Sequence, residues 1–214
     1  LLFENQTIVI SPLKALMDDQ VIALRDLDVK AERVHSGMSE SKRNEVWNEF
    51  KNKKIKILYI APESLMRDSV INDLKSLDIS MFVVDEAHCI SKWGSDFRKE
   101  YESLKELQQY FPNSIISAFT ATADEETRDD IINKLTNGKG KIFLYGFNRP
   151  NLSLAVQQKT NNWKAQLHDF IVHRKNESGI VYCLSQKLTE QCAAFLQSEG
   201  FNALPFHAGL ENER

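Results

Sequence analysis

The apolar run Met81-Phe82-Val83-Val84 stops abruptly at Asp85-Glu86-Ala87-His88. Four consecutive apolar residues are short enough for a strand buried on both faces, as in parallel sheets. Ligands of open α/β sheets bind at the carboxyl ends of such strands. A strand that stops in Asp-Glu therefore presents two carboxylates where a nucleotide and its metal would lie. In nucleoside triphosphate hydrolysis the first acid helps to hold Mg²⁺, and the second orients or deprotonates the attacking water. The competing interpretation is a strand that runs into an acidic, solvated loop, and the residues that follow decide against it.

Those residues are Cys89-Ile90-Ser91-Lys92-Trp93-Gly94-Ser95-Asp96-Phe97-Arg98-Lys99-Glu100-Tyr101. Up to Phe97 the segment has neither helical nor strand periodicity, yet it carries Trp93 and Phe97 interleaved with Lys92 and Arg98. Aromatic faces with nearby cations are what single-stranded nucleic acid needs, for base stacking and phosphate pairing. The alternative is that both rings fold back onto the core and pin the loop.

Strand-like and helix-like patterns alternate along the chain. Thr7 to Ile10, Ile55 to Ile60, Ile79 to Val84, Ile115 to Phe119 and Lys141 to Tyr145 read as short strands. Leu13, Met17, Val21 and Leu24 stripe one helix, and Ile131, Ile132 and Leu135 another. The alternation predicts a parallel sheet covered by helices, an α/β fold. A second series follows Pro150, which breaks regular structure. Its expected strands are Leu152 to Val156, Ile180 to Cys183 and Ala203 to Phe206. Its expected helices are striped by Trp163, Leu167, Phe170 and Ile171, and by Leu188, Cys192, Phe195 and Leu196. The formal net charge is -3, so nucleic-acid binding would rest on local bases and aromatics rather than on a basic field. Three cysteines without a Cys-x-x-Cys pair argue against a disulfide framework and a zinc cluster, and Cys183 and Cys192 read as buried thiols. No apolar stretch approaches the roughly 20 residues of a membrane span. A cytoplasmic compartment is expected.

Asp85-Glu86-Ala87-His88-Cys89-Ile90-Ser91, followed by Trp93-Gly94 and Asp96-Phe97-Arg98, closely resembles the RecQ family of DNA helicases. Ser11-Pro12-Leu13 with Asp19-Gln20 is similar to that family's motif Ia, Leu58 to Glu63 to motif Ib, and Phe119-Thr120-Ala121-Thr122-Ala123 to motif III. Phe147 to Asn151, Gly179 to Cys183 and Phe206 to Glu211 resemble the opening of its second motor domain. The resemblance implies two RecA-like parallel-sheet domains, here 1–147 without its phosphate-loop part and 148–214 truncated at its C-terminus. It implies ATP and Mg²⁺, and single-stranded DNA or duplex DNA with single-stranded tails as partner. Unwinding would run 3′ to 5′, in repair and recombination, at the bacterial nucleoid or in a eukaryotic nucleus. Asp85 would engage Mg²⁺, usually through water, Glu86 would be the catalytic base, and His88 the relay between ATP and DNA. Thr120 and Thr122 would couple the nucleotide site to the acidic motif. Lys92, Trp93, Phe97, Arg98, Tyr101, Ser11 and Lys14 would contact DNA.

Several of these residues also have structural explanations. Ser11-Pro12 suits a helix N-cap followed by proline, and Thr122 with Glu125 suits a capping box. His88 could be a satisfied strand-end histidine. His35 and His173 have no constellation around them. The loop departs from the family pattern at Ser95 and Lys99, where many members have His and Pro. No Gly-x-x-x-x-Gly-Lys-Ser/Thr occurs, and Gly138-Lys139 and Gly140-Lys141 read as a turn. The chain is therefore expected to be a fragment with negligible ATPase activity of its own. Two other classes compete: an RNA helicase or restriction-type translocase with the same Asp-Glu-Ala-His motif, and a non-catalytic nucleic-acid-binding module.

Overall fold

The computed structural model describes residues 3–92, 98–146, 150–174 and 176–210. The chain divides into two compact units, Leu1–Leu144 and Tyr145–Arg214. In the first unit β1 (Gln6–Ile10), β2 (Ala31–Val34), β3 (Ile57–Ile60), β4 (Ile79–Val84) and β5 (Ile115–Ala118) form one parallel sheet. Its order is β2-β3-β1-β4-β5. The connecting helices are α1 (Lys14–Asp26), α2 (Glu40–Lys51), α3 (Pro62–Leu65), α4 (Asp68–Lys75), α5 (Lys99–Glu102), α6 (Leu107–Tyr110) and α7 (Glu125–Thr136). Single 3₁₀ turns occupy Ala87–Ile90 and Ser103–Glu106.

Successive strand residues point to opposite faces of a sheet, and the core divides accordingly. Ile8, Ile10, Leu58, Ile60, Phe82 and Val84 pack on one face with Val46 and Phe50 of α2, Leu74 of α4 and Leu135 of α7. Val9, Tyr59 and Ala61 pack on the other against Met17 and Val21 of α1. Phe82 is fully buried, and its ring lies 4.8 Å from that of Phe111. The strand β4 is closed on the first face and only half-covered on the second, where Met81 and Val83 remain partly accessible. The expectation of equal burial on both faces is corrected to that extent, because α1 packs chiefly over β1, β2 and β3.

Two local expectations change, and one strand appears that the pattern did not announce. α1 starts at Lys14 with Leu13 extended before it and no side-chain cap, so Ser11 does not cap it. α7 is capped by Asp124, whose carboxylate accepts from Thr127 N–H at 2.9 Å, and Thr122 is left for other contacts. β2 has no apolar alternation to announce it. It is an edge strand whose Glu32 and Arg33 pair with Arg25 and Asp18 of α1, the charged dressing that keeps an edge from further pairing.

The described part of the second unit contains α8 (Trp163–Val172) and α9 (Gln186–Ser198). The α9 stripe turns inward as expected at Cys192 and Leu196. The α8 stripe is only half-covered at Trp163, Leu167 and Ile171 and leaves Phe170 exposed. Trp163 lies edge-on to Phe195 at 6.3 Å. No strand forms among its described residues. Residues 152–156, 180–183 and 203–206 have the strand pattern but no ladder partner, and Leu154, Tyr182 and Phe206 are at least nine-tenths exposed. Residues 141–145 behave in the same way. Alternation signals a face to be buried, but a strand exists only where a neighbour accepts its backbone bonds. Cys192 is buried as expected, while Cys183 is only half-buried. Among the described residues no helix is long and apolar enough to cross a membrane.

The Phe82→Ala substitution is expected to cost about 3–5 kcal/mol, the range for truncating a fully buried phenylalanine. Urea unfolding measures it, and an unchanged midpoint would contradict the packing described for β4.

Candidate active site

The carboxyl ends of β1, β4 and β5 converge on Asp85 and Glu86. The ladder continues one residue past β4, with Asp85 N–H donating to Ile10 O at 2.9 Å. Tyr101 Oη donates to Asp85 O at 2.9 Å, and Ala87 N–H donates to Phe119 O at 2.9 Å. Between these fixed peptides Glu86 adopts φ 48° and ψ 44°, the left-handed region. For a residue with a side chain that conformation costs of order 1–3 kcal/mol and persists only where the surroundings over-determine it. The effect is to turn the chain out of the strand and leave both carboxylates at its end.

Asp85 Oδ1 accepts from Glu86 N–H at 3.0 Å, and Ser11 Oγ donates toward Oδ2 at 3.4 Å. Among the described residues no group of three or more His, Cys, Asp or Glu side chains could hold a metal ion. A single carboxylate, supplemented by water and substrate phosphates, is nevertheless how Mg²⁺ is usually bound, and Asp85 fits that pattern. Two tyrosines flank it. Burial and then the Asp85 charge push the Tyr59 phenol above its ordinary range. Burial foremost, with nearby negative groups including Asp85, raises Tyr101 further still. Both phenols stay protonated near neutral pH.

His88 joins the two motifs. Its Nδ1 lies 2.9 Å from Thr120 Oγ1 and 3.3 Å from Glu86 Oε2. A carboxylate oxygen accepts while a threonine hydroxyl can donate or accept, so Nδ1 is placed to link Glu86 to Thr120. Thr120 Oγ1 also accepts from Thr122 N–H at 3.2 Å, which folds the Thr-Ala-Thr turn around the same hydroxyl. The structure thus brings Glu86, His88 and Thr120 into one contact network, with Thr122 contributing its backbone from an exposed position.

Two expected DNA contacts are corrected. Tyr101 is fully buried and its hydroxyl is spent on Asp85 O, so it supports the acid rather than touching a ligand. Ser11 is fully buried, with its N–H on Ile60 O and its hydroxyl toward Asp85. Lys14 is exposed at the start of α1. Arg98 is exposed, donates its backbone N–H to Cys89 O at 2.9 Å, and lines a cleft of about 330 Å³ with Pro12, Pro62, Glu63 and Glu100. Lys92 Nζ lies 3.2 Å from Glu102, and its charge and hydrogen bond hold that carboxyl below the usual range. Trp93 and Phe97 lie outside the described residues. Sequence reasoning passed over Tyr59, Asp130 and Lys134. A tyrosine in a strand and an Asp-x-x-x-Lys spacing on a helix are both too ordinary to single out.

Residues 2–131 match the DEAD/DEAH box helicase family, and the chain belongs to it. Within that family its similarity runs to RecQ helicases. It is 38% identical over 214 residues to ATP-dependent DNA helicase RecQ of Pasteurella multocida, covering 100% of this chain and 34% of that protein. It is 36% identical over 214 residues to the RecQ helicase of Bacillus subtilis, covering 36% of it. The chain thus spans about a third of the length of these relatives. Its fold is shared with the Mycobacterium smegmatis helicase Lhr, solved with ssDNA and AMP-PNP, at a TM-score of 0.63 and 17% identity over 98% of this chain and 31% of that one.

Replacing Glu86 with Gly removes the left-handed penalty and is expected to raise stability by up to about 1 kcal/mol. Tyr101→Phe is expected to lower it by about 1–3 kcal/mol, since it strands the Asp85 carbonyl without its donor. Thermal and urea unfolding of the two variants measure these opposite shifts, and equal destabilisation would contradict the strained geometry.

Proposed function

We propose that this chain is the motor segment of a RecQ-type ATP-dependent DNA helicase, moving 3′ to 5′ along single-stranded DNA and opening tailed duplexes. Residues 1–147 belong to the first motor domain and 148–214 open the second. The observation that carries the reading is the left-handed Glu86 at the end of a buried strand, with His88 between it and Thr120. A binding module has no use for a strained acid aimed out of the sheet. Its relatives are named ATP-dependent DNA helicases, which favours DNA over RNA as the partner.

In the mechanism Glu86 accepts the proton of the water that attacks the γ-phosphate of ATP. Asp85, already oriented by Glu86 N–H and Ser11, is the residue that would hold Mg²⁺, which supplies charge neutralisation at the phosphates. His88 orients Glu86 and passes the state of the adjoining segment to Thr120. Trp93 and Phe97 offer rings for base stacking, with Arg98 and Lys14 available to phosphates. The phosphate-loop motif does not occur in these residues, so the full-length protein is the one to test.

The test is ATP hydrolysis by the full-length protein with and without single-stranded DNA or RNA. Stimulation by DNA supports the reading, stimulation by RNA alone favours an RNA motor, and no hydrolysis from a folded protein favours a binding module. Glu86→Gln is expected to lower turnover by about 10²–10⁴-fold, the usual contribution of a general base, while nucleotide still binds. Trp93→Ala is expected to weaken single-strand binding by about 5- to 150-fold, the loss of one stacked base. Fluorescence anisotropy measures it, and unchanged affinity would remove Trp93 from the DNA surface.

A further inference from the structure

The turn that follows the acidic motif is fastened to α7. Lys134 Nζ donates to Ile90 O at 3.0 Å and to Asp130 Oδ2 at 2.8 Å. Asp130 in turn accepts from the Ser91 hydroxyl and from Lys92 N–H. Burial raises its carboxyl, but Lys134 and these donors outweigh that and hold it below the ordinary range. Both side chains are only 22% exposed. An Asp-Lys pair at this spacing on a helix is usually a solvated ornament that contributes little. Here each partner spends a further bond on the backbone or hydroxyl of Ile90, Ser91 or Lys92, which an ornament does not do.

The other end of the same helix begins at the coupling motif. Asp124 caps α7 two residues after Thr122, and Thr120 holds His88. From Asp124 to Lys134 the helix spans about 15 Å as one rigid rod. Its N-terminal end adjoins the Glu86–His88–Thr120 network, and its middle grips the residues that lead from that network toward Trp93. On the far side of residues 93–97, Arg98 N–H returns to Cys89 O and Tyr101 to Asp85 O.

We propose that Asp130 and Lys134 are positioning residues that join the Ile90–Lys92 turn to the Thr120 motif through α7, and so set how strongly DNA stimulates ATP hydrolysis. The proposal rests on the helicase reading above. A shift of the turn on DNA binding is passed to α7 through the bonds of Lys134 to Ile90 and of Asp130 to Ser91 and Lys92, and reaches His88 by way of Thr120. Neither residue touches nucleotide or DNA in this scheme.

The experiment compares the parent full-length protein with Asp130→Asn, Lys134→Met and Lys134→Arg, reading basal hydrolysis, DNA-stimulated hydrolysis and amide hydrogen exchange. In Asp130→Asn and Lys134→Met the stimulated rate is expected to fall about 5- to 150-fold, the span of a coupling between two sites, with the basal rate within about twofold of the parent. Amide exchange at Ser91 and Lys92 accelerates while that of β1 and β4 does not, which separates a loosened turn from a damaged core. Lys134→Arg keeps both bonds within reach and restores the stimulation. Equal loss of basal and stimulated rates overturns the proposal in favour of a merely structural pair. Undiminished stimulation despite faster exchange at Ser91 and Lys92 also overturns it. A parent protein that DNA does not stimulate overturns the helicase reading and this inference with it.

Discussion

The site depends on one strained residue. Glu86 stands in the left-handed region because the peptides on either side of it are already committed. Asp85 is tied to β1 by its N–H and to Tyr101 by its carbonyl, and Ala87 N–H is tied to Phe119 beyond β5. Three separate parts of the unit thus fix a single turn. Phe82 and Val84, buried on the preceding strand, prevent the strain from relaxing backwards into the sheet. The carboxylate that results is held out of the strand axis at the edge where α/β sheets receive ligands.

Around that turn the polar groups serve to connect elements more than to bind them to solvent. His88 lies between the acid and the Thr-Ala-Thr motif, so a change in either is felt by the other through one imidazole. Tyr101 does the same from the opposite direction, since its helix α5 follows Arg98 directly and its hydroxyl ends on the acid's own carbonyl. The high pKa that burial gives this phenol keeps it a donor throughout the working pH range. A network in which each polar group meets a partner on another element is stiff, and stiffness is what lets a small displacement travel.

Much of this was legible in the sequence, for a physical reason. Buried strands between helical stripes are a burial code, and β1, β3 and β4 fell near their expected positions because each had a core to enter. The strand β5 formed by pairing with β4 although none of its residues is buried. The acidic motif was readable because charge directly after a buried strand has few purposes. Burial of Tyr101 and Ser11 was not readable, since both types serve equally well at a surface and nothing local distinguishes a hydroxyl that meets DNA from one that meets Asp85. β2 was hidden because Glu32 and Arg33 interrupt its pattern, and they do so because it is an edge. The segments at 152–156, 180–183 and 203–206 fail in the reverse sense. They carry the pattern, but the described residues supply no ladder to complete it.

The charge distribution narrows how nucleic acid could be held. With a net charge of -3 the chain has no broad basic field to draw in a polyanion. Lys92 is engaged by Glu102 and Lys134 by Asp130, and the cleft beside Arg98 also carries Glu63 and Glu100. In the proposed function, phosphate pairing is thus a local matter of Arg98, which lies beside Glu63 and Glu100, and of the exposed Lys14. Affinity would then come more from ring stacking than from counterion release, and stacking tolerates any base. For the helicase proposed above, which would step along arbitrary sequence, that balance is suitable. In the coupling proposed above, a grip built mainly of ion pairs would hold too evenly along the strand to report, through the turn at Ile90 to Lys92, that a base has arrived.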